Sequence, residues 1–346
     1  MITPTDKSFS PVVQDKIDNL NKPKGSLGRL EILAVQIALI QHTLTPTLSH
    51  PCHLLFGADH GIEKEGVSAS PREVTWQQFI NYGNGGGGIN MFCRQHGFDL
   101  RVIDTGVDFD FDLRKYPHII DRKIRKGTNN FLYAPAMSAE EYRQALGIGA
   151  EQVLECKAKG CNVISIGEMG IANTSPSSVL MHLLLNIPLD QCVGAGSGLS
   201  NSGVRHKLDV LQAAVKRFQE QNSQPTTATI IFYFCGFEMV AAIGAMLKAA
   251  ELGMIVMVDG FIMTACMLAA SNIEPAVLDY AVFCHQGDEG GHKLMLEKMS
   301  VSPLLHLGLR LGEGTGAVCA YPLLQSAVNM INEMDNFKHA NITKYF

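Results

Sequence analysis

Several acids in this chain sit in glycine-rich turns, where a carboxylate can be held still enough to move a proton. Glu313 lies in Leu311-Gly312-Glu313-Gly314-Thr315-Gly316, directly before an apolar helical pattern. A carboxylate gripped by glycines at a helix start, inside a cleft, suits a general base whose pKa is raised by partial burial. The same residue on an open loop is only a solvated acid. Glu168, in Gly167-Glu168-Met169-Gly170, carries the same two readings. Asp259 precedes a helical pattern that starts at Phe261, so it is expected to be the N-cap of that helix. Gly194-Ala195-Gly196-Ser197-Gly198 is the most phosphate-like loop, because successive free N–H groups at such a turn bind anions. No Gly-Lys-Ser/Thr follows it, and no GxGxxG opens a helix after a first strand, so a tight turn is the competing reading. Asp59-His60 and the group His285, Asp288, Glu289 and His292 have the residue types of a metal site. Without HExxH or a closely spaced histidine pair on one helix, structural polar residues near a site are the preferred reading. Gly85-Gly86-Gly87-Gly88 should break a helix, and close helix packing is its expected purpose.

The elements that must position these residues recur as one unit: a short apolar run, a glycine-rich turn with an acid, then a helical pattern. The runs begin near His53, Leu100, Cys161, Gly253 and Asp279. Continuous apolar strands alternating with helices predict an α/β fold, a parallel sheet with helices on both faces in a Rossmann-like three-layer arrangement. Helical spacing is found over roughly 73–95, 139–159, 176–186, 206–221, 237–251, 261–272, 289–299 and 317–334. Residues 107–138 are charged and proline-interrupted and are expected to be an excursion. The expected division is an α/β domain over 46–312 that binds nucleotide and base. Residues 1–45 with 313–346 would form a small helical subdomain packed on it.

Composition limits the function. The chain has 346 residues and a net charge of −5, from 28 Lys plus Arg and 33 Asp plus Glu. No basic excess is available for nucleic acid or for an anionic membrane surface. Nine cysteines occur without a CxxC, mostly in apolar runs, and are expected to be free core thiols. No uncharged apolar run reaches the ~18–20 residues of a membrane span. The N-terminal segment has no signal-peptide apolar core. A cytoplasmic protein without membrane or nucleic-acid partners is expected.

Taken together and in order, Lys22-Pro23-Lys24-Gly25-Ser26-Leu27-Gly28-Arg29-Leu30-Glu31, the 57–61 turn, the 66–75 segment, Gly167 to Thr174, Gly236-Phe237-Glu238, Asp259-Gly260-Phe261 and Leu309 to Gly316 closely resemble the nicotinate-nucleotide:dimethylbenzimidazole phosphoribosyltransferase family. The resemblance runs nearly the whole chain. It implies transfer of a 5-phosphoribosyl group from nicotinate mononucleotide to a benzimidazole-type base, in synthesis of the cobamide lower ligand. It implies that Glu313 is the general base, with Glu168 and Lys207 in supporting roles at the ribose and phosphate. Ser70 and Gln78 match positions that face the base. Gly170, Arg310 and Leu311, with Gly312 beside them, match positions that line the nucleotide, and Gly194, Gly196 and Gly198 the phosphate loop. No metal and no cofactor are implied, and the partners are the two small molecules and a second copy of the chain.

Two departures from the family pattern matter. An arginine of the phosphate loop is replaced by Ala195. A hydroxyl after the His285 strand end is replaced by Gly287, so its phosphate contact is lost or passes to a backbone N–H. Two rival readings remain at this level: a metal-dependent hydrolase built on Asp59, His60, His285 and His292, and a non-catalytic nucleotide-binding module on the same fold.

Overall fold

The computed structural model describes residues 1–344. Two short helices, α1 (Ser10–Asp18) and α2 (Arg29–Gln41), precede the first strand, β1 (Cys52–Ala58). Then come α3 (Glu73–Gly83), α4 (Gly88–His96), β2 (Asp99–Gly106), β3 (Ile119–Asp121) and α5 (Ala139–Ala158). Next are β4 (Val163–Met169), α6 (Thr174–Leu185), α7 (Asn201–Gln221), α8 (Thr227–Phe234) and α9 (Phe237–Glu251). The chain finishes with β5 (Ile255–Val258), α10 (Phe261–Ile273), β6 (Ala281–Phe283), α11 (His292–Lys298) and α12 (Thr315–Glu333).

The strands form one sheet in the order β3-β2-β1-β4-β5-β6, with every neighbouring pair parallel. This is the expected α/β architecture, with a sixth strand that the sequence pattern missed. That strand, β3, is three residues long and lies inside the stretch read as an excursion, just after Pro117. Every residue of β1 and β5 is buried, as continuous apolar strands require when helices cover both faces. The order reverses between β1 and β4, so the crevice beyond their carboxyl ends is the place for a ligand.

The glycine run breaks the helical stretch over 73–95 into α3 and α4, as four glycines should. Helix α12 packs on α2 and also reaches α4, β4 and β5. Its closeness to the sheet is what brings residue 313 over the strand ends. All nine cysteines carry free thiols, eight of them buried. Among the described residues, no helix is long and apolar enough to cross a membrane.

Helices α5 and α9 pack face to face on the sheet. A Cβ on Gly149 would overlap the main chain of Ala241, and one on Gly244 would overlap that of Leu146. Backbone cannot yield as a flexible side chain does. Gly149→Ala is therefore expected to destabilise the fold by about 1–3 kcal/mol, the usual range for overpacking. A urea midpoint equal to that of the unchanged protein would show that the helices are not in this close contact.

Candidate active site

Beyond β1 and β4 the strand ends deliver polar groups into one cavity. Its wall includes Ser70, Gln78, Glu168, Gly170, Gly196, Arg310, Leu311, Gly312 and Glu313, all picked out by the sequence. Lys207 lies behind this wall. It is fully buried in α7, and its Nζ donates to Thr174 Oγ1 (2.7 Å), a residue of the cavity at the start of α6. Gly194 packs against the carboxylate of Glu289, which also lines the cavity. Gly198 is the outlier. It stands at the open side of its loop, with a left-handed φ of 121° and open space where a side chain would begin.

Glu313 is held by groups from three distant parts of the chain. Its φ is 61°, a left-handed value that costs a non-glycine residue energy and persists only where the surroundings fix it. Gly312 and Gly314, at φ 85° and 79°, carry the chain into and out of that turn. The turn rests on the sheet: a Cβ at Gly167 in β4 would strike the Glu313 carbonyl, and one at Gly314 would strike the ring of His53 in β1. His53 pairs in register with Ser165 across β1 and β4 and shares a 2.9 Å hydrogen bond with its hydroxyl. Burial lowers the His53 pKa to about 4, so the ring beneath the turn is neutral. The carboxylate itself accepts the Ile89 N–H at 3.0 Å, at the start of α4. Burial raises its pKa above the ordinary carboxylate range, while this N–H and the Tyr82 hydroxyl pull the other way. A helix N-terminus favours the anion and burial opposes it, which leaves a carboxylate that can both lose and take a proton.

The glycine run acquires its purpose here. A Cβ on Gly88 would come within 2.8 Å of Leu311 and 3.4 Å of the Glu313 carboxylate. The run lets α4 start against the Glu313 loop, an approach to the site more than the helix–helix packing expected.

Glu168 ends β4 and is almost completely buried. The Asn173 side-chain amide donates to its Oε2. Burial, with the nearby charge of Glu238, raises its pKa to about 8, so at neutral pH it is a neutral acid able to donate a hydrogen bond. The unfolded carboxyl titrates near 4.5. Its stabilising effect is therefore complete below that value and is lost as pH rises through about 8. Glu168→Gln, which keeps the neutral shape, should raise the melting temperature relative to the unchanged protein at pH 9 and leave it level at pH 5. Equal melting temperatures at pH 9 would mean that Glu168 is not protonated in the fold.

Asp259 is not the cap of α10; Gly260 occupies that position. Its Oδ1 instead accepts the Ala317 N–H at 2.8 Å in the first turn of α12 and faces His285 Nε2 at 3.2 Å. The reason is orientation: the side chain leaves β5 towards α12 and β6. Burial pushes the Asp259 carboxyl up, but His285 outweighs it and holds it below its usual range. His285 is correspondingly held above its usual value, against its own burial.

The four residues with metal-ligand chemistry are spent on other partners. His60 Nε2 pairs with Glu238 at 2.6 Å, and His285 with Asp259. His292 Nδ1 accepts the Gly287 N–H at 2.9 Å, and its Nε2 lies 3.0 Å from Thr264 Oγ1. Asp59 Oδ2 accepts the Asp108 N–H. Among the described residues, no group of three or more His, Cys, Asp or Glu is arranged to hold a metal ion. The Gly287 N–H is taken by His292, so it is not free to replace the hydroxyl lost at that position.

No local pattern marked the Ile89 N–H or gave Asn173 and Thr174 a role of their own; Asp259 read as a helix cap and His285 and Glu289 as structural groups near a site, whereas all three line the cavity. Only the glycine run before Ile89 was a usable signal.

A family model described as phosphoribosyltransferase matches residues 2–342. A nicotinate-nucleotide–dimethylbenzimidazole phosphoribosyltransferase of Bacteroides fragilis is 60% identical over 345 residues, covering 100% of this chain and 99% of that one. The enzyme of the same name from Dechloromonas aromatica is 47% identical over 98% of this chain and 97% of its own. A crystal structure of CobT from Thermus thermophilus superposes with a TM-score of 0.93 at 35% identity, over 98% of this chain and 100% of that one. Full-length similarity and the shared fold point the same way, and the chain belongs to the nicotinate-nucleotide–dimethylbenzimidazole phosphoribosyltransferase family.

Proposed function

We propose that this enzyme moves the 5-phosphoribosyl group of nicotinate mononucleotide to 5,6-dimethylbenzimidazole or a related base, giving α-ribazole 5′-phosphate and nicotinate. The observation that carries the reading is Glu313: a buried carboxylate of raised pKa, anchored on a helix N-terminus and facing the same cavity as a glycine-rich loop, with Lys207 buried behind the wall.

The chemistry asks little of the protein beyond this. The donor's pyridinium departs from C1 as neutral nicotinate nitrogen, so no general acid is required. One benzimidazole nitrogen attacks C1 from the opposite face, inverting the β-linkage to α. The other nitrogen gives its proton to Glu313. Glu168, as a neutral acid, donates to the ribose oxygens. The phosphate sits against the 194–198 loop, with Lys207 supplying charge-assisted attraction. Carboxylates at Asp259, Asp288 and Glu313 line the cavity, where they stabilise the donor's cationic pyridinium ring and the positive charge that grows on C1. Ser70 and Gln78 receive the flat base, and Gly170, Arg310, Leu311 and Gly312 border the nucleotide. No metal or cofactor enters the step. In this reading residues 46–312 bind donor and base, and the two chain ends supply the helical cover. The enzyme acts as a homodimer, an assignment taken from the family likeness, and in the cytoplasm, where its free core thiols stay reduced.

Incubation with nicotinate mononucleotide and 5,6-dimethylbenzimidazole in the presence of EDTA, followed by mass spectrometry, is expected to give the ribazole phosphate. Silence with this base and with a panel of other benzimidazoles, purines and phenols would leave a nucleotide-binding protein without turnover and refute the proposal.

A further inference from the structure

We propose that the Glu289 carboxylate and the donor's phosphate compete for the same groups of the 194–198 loop, so that Glu289 sets how tightly the donor is held. This rests on the phosphate placement given above.

Glu289 Oε1 accepts the Gly196 N–H at 2.9 Å, across 93 residues of sequence. The position is shaped for it, because a Cβ on Gly194 would collide with that oxygen. A Cβ on Gly196 would lie 3.8 Å from Lys207 Nζ, so the lysine stands just behind the same loop. Burial lowers the Lys207 pKa to about 8, and the charge that acts to raise it again is that of Glu289. One carboxylate thus takes a loop N–H and a share of the buried lysine's field. These are the two features a phosphate oxygen needs there.

The two anions cannot share the place. A carboxylate within hydrogen-bond reach of Gly196 repels a phosphate brought to the same N–H, and the neighbouring Asp288 adds to the repulsion. Glu289 is only half-buried, between Gly287 and the pair Gly290-Gly291 in the segment joining β6 to α11. The side chain can swing out without disturbing β6. Apparent donor affinity is then reduced by the fraction of molecules in which the loop is already taken. A contact made through Gly194 and Glu289 thereby weakens ground-state donor binding.

The test is calorimetric titration of inorganic phosphate into the full chain and into Glu289→Gln and Glu289→Ala, with the donor KM measured alongside. Glutamine loses the charge but can still accept the Gly196 N–H; alanine loses both. Phosphate is expected to bind Glu289→Gln about tenfold more tightly than the unchanged protein, and Glu289→Ala at least as tightly again, since one charged hydrogen bond is worth about a factor of ten or more. The donor KM should fall in the same order. Weaker phosphate binding and a raised KM in Glu289→Ala would show that the carboxylate holds the loop in shape, and would overturn the proposal. Equal affinities in all three would show that it does not compete. Phosphate binding in none of them, while nicotinate mononucleotide still binds, would remove the phosphate from this loop and refute the placement beneath the proposal.

Discussion

Glu313→Gln is expected to lower kcat by roughly 10²–10⁴, the usual contribution of a positioned general base. The fold should tolerate the change. Glutamine keeps an oxygen for the Ile89 N–H, the bond that ties the turn to α4. It keeps the left-handed turn between Gly312 and Gly314 and the seat on β1 and β4. It loses only the ability to take the proton from the acceptor's ring nitrogen. The benzimidazole would then have to attack while still protonated on its far nitrogen, building charge that the neutral amide cannot remove. Steady-state kinetics with a melting curve as control would check this. Turnover close to that of the unchanged enzyme would remove Glu313 from the role.

Lys207→Met should raise the donor KM by about 10–100-fold, since a hydrogen bond to a charged group contributes about 1.5–3 kcal/mol. Methionine fills a fully buried site without leaving an uncompensated charge, so folding should persist. The pH dependence gives a second sign. Burial holds the Lys207 ammonium at a pKa of about 8, where its ordinary value is 10.5. The cation is present below that value and is lost above it. Donor affinity of the unchanged enzyme should therefore fall as pH rises past about 8, and that fall should vanish in Lys207→Met. A methionine variant with an unaltered KM would show that the phosphate does not use this lysine.

The parallel sheet was legible because its strands are uninterrupted apolar runs ending in glycine and acid. Each run of β1, β2, β4, β5 and β6 is bounded by such a turn, and period and composition agree there. β3 was not legible: three residues between charged and proline-bearing segments carry no period. The candidate site was legible in part, since Glu313 and the 194–198 loop announce a local backbone requirement, whereas Lys207, Ser70, Gln78 and Arg310 were marked only by the family resemblance. Their partners were not legible. Glu313 meets Ile89 across 224 residues, Glu289 meets Gly196 across 93, and Asp259 meets Ala317 across 58. No local pattern encodes which of several strand-end loops lies opposite which. Asp259 shows the cost: its position before a helix read as a cap, whereas its side chain reaches forward to a different helix. The partners of the metal-like residues were illegible for the same reason, because spacing did not show that Glu238 would claim His60 or that Gly287 would claim His292.

Direct displacement at C1, with Glu313 taking the acceptor's proton, can be followed by proton NMR of the reaction mixture, which reads the anomeric signal while nicotinate is released. An α-configured ribazole phosphate is expected, formed in equal amount with nicotinate. A β-configured product, or nicotinate released together with free ribose 5-phosphate, would contradict it: the first would require two displacements, and the second would mean that the carboxylate activates water.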